Sequence, residues 1–192
     1  MPATAEPVTL VAAAELFARP FYDAPERAYH TAAHVQSLIR ALGGRGVLTP
    51  ELELAAWGHD LIYDPRAADN EERSADVFGA WLAAQGAGVA VQPQVRDLIL
   101  ATRHAAPPTT RAEALFVDAD LGILGADPDA FDAYDRAIRA EYAHVPEDAY
   151  RAGRSAVLWG FLTRERLYLT LEFAALDTPA RLNLRRALER LA

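Results

Sequence analysis

His59 and Asp60 are neighbours at the end of the apolar run Leu52-Glu53-Leu54-Ala55-Ala56-Trp57-Gly58, and Leu61 and Ile62 follow at once. An imidazole and a carboxylate buried side by side are costly unless something meets them. That partner is either a metal cation or a closed hydrogen-bond network. His34 upstream and Asp120 downstream also fall on the apolar sides of expected helices, so the pattern to explain is His, then His-Asp, then Asp. His30 precedes His34 by four residues, a helical spacing that would put both rings on one face. Asp118 competes with Asp120. At about 100° per residue, Asp120 lies roughly 60° and Asp118 roughly 100° from Val117 on a helix whose stripe is Val117, Leu121 and Leu124. Either carboxylate can face a site, with Asp120 nearer the core.

The elements that must position these groups are helices. Val8 to Ala18 carries Leu10, Ala14 and Phe17 on one side, and Pro20 is expected to end it. His30-Thr31-Ala32-Ala33-His34 opens the next helix, with the stripe Val35, Leu38, Ile39 and Leu42 and a stop at Gly43-Gly44-Arg45-Gly46. Thr49 can cap the helix that delivers His59-Asp60, Pro50 suits its first turn, and Asp64-Pro65 forces an extended exit. Asp69 to Glu72 resembles a capping box before Phe78, Trp81 and Leu82, and Thr110 to Glu113 forms another before a helix running from Ala114 to Leu124. Further helices are expected over Pro93 to His104, from Asp127-Pro128 through Tyr142, from Pro146 to about Thr163, and from Thr178-Pro179 to the end. No period-2 strand, repeat or low-complexity tract interrupts them, so the fold class is all-α, an irregular helical bundle.

Composition narrows the chemistry. The 192 residues, 52% of them hydrophobic, suffice for one domain with a sizeable core. A net charge of -8 argues against a nucleic-acid polymer or a polybasic membrane contact. There is no cysteine, which excludes disulfides, thiolate zinc sites, iron–sulfur clusters and cysteine nucleophiles, so any metal must be held by nitrogen and oxygen. All 19 basic residues are arginine, the better bidentate phosphate ligand. The start Met1-Pro2-Ala3-Thr4-Ala5-Glu6-Pro7 lacks a basic n-region, and no apolar run reaches membrane-spanning length. The expectation is a soluble cytoplasmic protein that acts on a small molecule; oligomeric state is open, a homodimer included.

Tyr29-His30-Thr31-Ala32-Ala33-His34, His59-Asp60 and Ala119-Asp120-Leu121, taken in order, resemble the H…HD…D signature of the HD-domain metal-dependent phosphohydrolases. The flanking text, His59-Asp60-Leu61-Ile62-Tyr63-Asp64-Pro65 and Asp118 to Gly125, is similar to a branch of predicted phosphohydrolases. The likeness spans about His30 to Phe161. It implies one HD-type helical domain over residues 1–192, with a core of about 25–165 and the C-terminal helices packing on it. His34, His59, Asp60 and Asp120 would then bind one divalent cation: Mn, Mg, Co, Ni, Fe or Zn. Two imidazoles and two carboxylates suit such an ion and leave positions for water and a substrate oxygen. The implied reaction is hydrolysis of a small phosphoester, a nucleotide first among the classes, by attack of metal-bound water and without a covalent intermediate. Asp60 would be both ligand and catalytic residue.

By analogy with related cyclic-nucleotide phosphodiesterases, His30 is the candidate general acid; its other reading is a helix-terminal residue bonded to a carboxylate. Asp118 is the candidate acceptor behind a ligand imidazole. Arg103, His104 and Glu71 are the candidate substrate contacts. Arg73, Arg139 and Arg154 are further phosphate clamps or else ion-pair residues. Many two-metal relatives carry a His-Glu pair where this chain has Asn70-Glu71. The competing functions are an HD-fold di-iron oxygenase, a catalytically silent metal- or nucleotide-binding module, and an unmetalled helical protein with buried ion pairs.

Overall fold

The computed structural model describes residues 6–192 and is all-helical, with no strand among them. Met1 to Ala5, most of the lead inspected for a targeting signal, lie outside the described residues. None of the described helices is long and apolar enough to cross a membrane. Contacts cluster into two compact units, residues 1–117 and 118–192, and the division falls inside a helix rather than in a linker.

The first unit contains α1 (Pro7–Tyr22), α2 (Ala32–Gly43), α3 (Pro50–Gly58), α4 (Asn70–Ala84), α5 (Val91–Ala101) and most of α6 (Arg111–Asp120). α3 lies at its centre and touches α1, α2, α4 and α5. Its sequence explains this: Leu52, Leu54, Ala55, Ala56 and Trp57 are all buried, and a helix that is apolar all round belongs inside. The expected cap is present, with the Thr49 hydroxyl accepting from the Leu52 N–H at 3.3 Å and Pro50 in the first turn. Gly58 is needed for close approach, since a Cβ there would come within 2.6 Å of Phe78 and 2.8 Å of Ile99.

Two boundaries and one cap differ from expectation in this unit. α1 does not stop at Pro20 but continues to Tyr22. Proline in the last turn loses one hydrogen bond, that to the carbonyl of Leu16, on a side of the helix where Leu16 is 76% exposed. The extra turn buries Tyr22, whose hydroxyl donates to the Trp57 carbonyl at 3.1 Å. α4 follows Asp69 as expected, but no side chain closes a capping box: Glu72 pairs with Arg103 of the α5 end instead. α5 starts at Val91, with Pro93 tolerated in its first turn. The capping box of α6 does form, since the Glu113 N–H donates to Thr110 Oγ1 at 3.2 Å while Glu113 accepts from the Thr109 N–H at 2.7 Å.

The second unit contains α7 (Pro128–Glu141), α8 (Glu147–Leu162) and α9 (Asp177–Leu191), with 3-10 turns at Leu121–Gly125 and Ala174–Leu176. The single helix expected over Ala114 to Leu124 therefore divides after Asp120. Tertiary bonds take the carbonyls that follow: Tyr168 donates to Leu121 O at 2.9 Å, and the buried Asn183 amide donates to Leu124 O and Ala126 O, each at 2.9 Å. α9 begins at Asp177 rather than behind a Thr178 cap, because the Asp177 carboxylate holds Arg181 one turn on and the Leu167 N–H. Its buried side, Ala180, Leu184 and Ala187, packs on α8 and on the first 3-10 turn.

Candidate metal centre

His34 sits in the first turn of α2 behind the N-cap Thr31, with Val35, Leu38 and Leu42 buried along the same helix. Its ring is carried inward and is 5% exposed. His30 lies ahead of the N-cap, so the expectation that it shares a helical face with His34 is corrected. The two rings nonetheless stay close, with centroids 6.1 Å apart, because His30 stacks on Tyr63 at 4.1 Å.

His59 terminates α3 with helical backbone angles, and Asp60 follows in the turn beyond it. His59 Nδ1 is 2.9 Å from the Ala56 carbonyl. A carbonyl only accepts, so Nδ1 carries the proton and, in the neutral ring, Nε2 keeps its lone pair. That nitrogen faces His34 Nε2 at 3.1 Å and Asp60 Oδ2 at 2.9 Å, while His34 Nε2 and Asp60 Oδ2 are 3.7 Å apart. Two ligand atoms held about 2.1 Å from one ion would lie about 3.0 Å apart when adjacent and about 4.2 Å apart when opposite. The separations of 2.9 and 3.1 Å are those of adjacent positions to within about 0.1 Å, and 3.7 Å lies between the adjacent and opposite values, so the three donor atoms are close enough to share a single small dication. Burial works against ionising Asp60, but the imidazoles of His59, His30 and His34 overcome it and hold its carboxyl well below the usual carboxylate range.

Asp120 is the last residue of α6, one turn beyond Phe116, whose ring meets the His59 ring edge-on at 5.8 Å. His34 and His59 belong to the first unit, and Asp120 lies just past the division, in the second. Asp118 has a different occupation. Fully buried, it accepts from the Leu169 and Thr170 N–H groups at 2.9 and 2.8 Å and from the Thr170 hydroxyl at 2.6 Å. Burial raises its pKa against those donors. Its expected place behind a ligand imidazole is, for His59, taken by the Ala56 carbonyl.

The remaining candidates are dispersed. Arg103 forms an ion pair with Glu72, Arg73 lies 3.8 Å from Asp69, Arg139 reaches Glu147 at 3.1 Å, and Arg154 holds Asp135 at 2.9 Å. Glu71 is half-buried in the first turn of α4. His104 follows α5 in the left-handed region, φ 54°, a conformation histidine tolerates better than most residues.

Three residues outside the His/Asp pattern hold the segment behind His59. Arg27 donates to the carbonyls of His30, Asp60 and Leu61 at 2.9, 2.7 and 2.9 Å. Ser74 accepts from the Ile62 N–H at 2.9 Å. Asn70 brackets Asp64, accepting from its N–H at 3.0 Å and donating to its carbonyl at 2.9 Å. Asn70 thus shapes the backbone of this loop. A side chain bonding to a distant main chain leaves no trace in the sequence.

These features define an all-α protein with a buried histidine–aspartate cluster. The chain matches no family model, no curated protein and no solved structure.

Proposed function

We propose that the protein is a metal-dependent phosphohydrolase that cleaves a small phosphoester, with nucleotides as the favoured substrate class. The observation that carries this reading is the meeting of His34 Nε2, His59 Nε2 and Asp60 Oδ2, with the His59 proton committed to Ala56 on the far side of the ring. With the His59 proton on Nδ1, the Nε2 lone pair and the Asp60 carboxylate are both donors to a cation, and a dication there would bind both. His34, His59, Asp60 and Asp120 would hold the ion. When bound there, a divalent metal polarises a phosphoryl oxygen and lowers the pKa of water.

The chain's own groups supply the rest. Asp60 stays anionic and would give the cation a charged oxygen ligand beside the imidazoles. The Ala56 carbonyl orients His59 and raises its basicity as a ligand. His30, stacked on Tyr63 and one ring away from His34, is placed to give a proton to the leaving oxygen.

Calorimetric titration with Mn²⁺, followed by a screen of mononucleotides, cyclic nucleotides and sugar phosphates with Mn, Mg, Co, Ni and Zn, tests the reading. The wild-type chain should take up one ion and turn over one substrate class. Asp60→Ala should do neither. Full metal content in that variant would reject the site, and metal uptake without turnover of any phosphoester would leave a binding module in place of an enzyme.

A further inference from the structure

We propose that Arg27 is a positioning residue for this centre: its guanidinium fixes the His59-Asp60 turn and the His30 segment against each other. The inference rests on the metal-dependent reading above and assigns that site a support outside the His/Asp pattern. Arg27 lies in the connection between α1 and α2, far in sequence from the turn it holds. Nη1 donates both to His30 O and to Asp60 O, and Nη2 donates to Leu61 O. One side chain therefore binds the main chain on both flanks of the cluster. The guanidinium plane also lies over Tyr22 at 5.0 Å and over Tyr63 at 5.6 Å, the ring on which His30 stacks.

The chemistry demands an arginine. At the end of α3 the carbonyls of Asp60 and Leu61 have no following turn to receive, and three acceptors in a fan match the planar fork of a guanidinium. A lysine is a point donor on a flexible stem and can lie over a ring, but it does not reach three fixed carbonyls in one geometry. Ligand placement within a few tenths of an ångström governs metal affinity, so the loss of such an outer support is expected to weaken binding about 10- to 100-fold.

The test compares the full-length wild-type chain with Arg27→Ala and Arg27→Lys by Mn²⁺ calorimetry, with circular dichroism and thermal midpoint recorded without metal. Mn²⁺ affinity should fall about 10- to 100-fold in both variants. Guanidinium at millimolar concentration should restore much of it to Arg27→Ala and none to Arg27→Lys. A residue that merely stabilised the fold would lower the metal-free midpoint and would not be rescued in this way. Affinity within about twofold of wild type in both variants would overturn the proposal. Should Arg27→Ala not fold, Arg27→Lys alone decides by the same affinity criterion. If the wild-type chain itself binds no Mn²⁺, the metal reading fails by that result. The His30 and His59 ring resonances of metal-free Arg27→Lys then decide the clamp: shifted rings support it and unmoved rings overturn it.

Discussion

At the residue scale, the centre depends on how each polar group is oriented by what lies behind it. His59 is aimed by a main-chain carbonyl of its own helix, His34 by the first turn of α2, and His30 by stacking on Tyr63. Asp118 closes a loop by accepting from Leu169 and Thr170. His30 is the residue whose role kinetics can isolate, because its ring is near the cluster without belonging to its ligand group. His30→Ala should keep wild-type Mn²⁺ affinity and slow turnover by about 10²–10⁴-fold. Unchanged turnover would return His30 to a packing role against Tyr63.

At the element scale, α3 is the part on which the site's precision depends. It is nine residues long, has Leu52, Leu54 and everything from Ala55 to Gly58 buried, and leads straight into His59 and Asp60. Its last turn is clamped between Tyr22 of α1, which bonds to Trp57, and the Phe78–Ile99 wall contributed by α4 and α5. Gly58→Ala places a methyl group where no space exists, against side chains that are themselves fully buried. The cost should be about 1–3 kcal/mol of unfolding free energy in urea denaturation, since overpacking forces neighbouring rotamers or backbone to shift. Because the displaced turn carries His59 and Asp60, Mn²⁺ affinity should fall in the same variant. A stable Gly58→Ala chain with full affinity would show that α3 has more slack than its packing implies.

At the scale of the whole molecule, stability and metal occupancy should be linked. An ion that binds the folded chain and not the unfolded one stabilises it by about 2.7 kcal/mol at a hundred times its dissociation constant. The thermal midpoint of the wild-type chain should therefore rise with Mn²⁺ and return with a chelator, while that of Asp60→Ala should not respond. A midpoint indifferent to every divalent cation would speak for the unmetalled alternative, a helical protein with buried ion pairs. The arginines bear on the same scale. Many of them are engaged with carboxylates, among them Arg19, Arg96, Arg154, Arg181 and Arg186. Their abundance thus serves the bundle's own surface and interior, and the net charge of -8 remains.

Periodicity and capping in the sequence determined the helical class, the burial of α3 and the caps at Thr49 and Thr110, because these depend on residues within a turn or two of each other. The order of His34, His59-Asp60 and Asp120 on apolar flanks was likewise legible, since burying ionisable groups without a partner is too costly to be incidental. Tertiary structure alone decided the rest. It carried α1 past Pro20 by offering Tyr22 a buried acceptor, broke the helix after Asp120 by claiming its later carbonyls, and moved His30 off α2 and onto Tyr63. It also tied Asp118 to Thr170, and it recruited Arg27 to a turn some thirty residues away. These outcomes turn on bonds between groups distant along the chain, whose strength depends on what folding brings within 3 Å, and no local pattern encodes that distance.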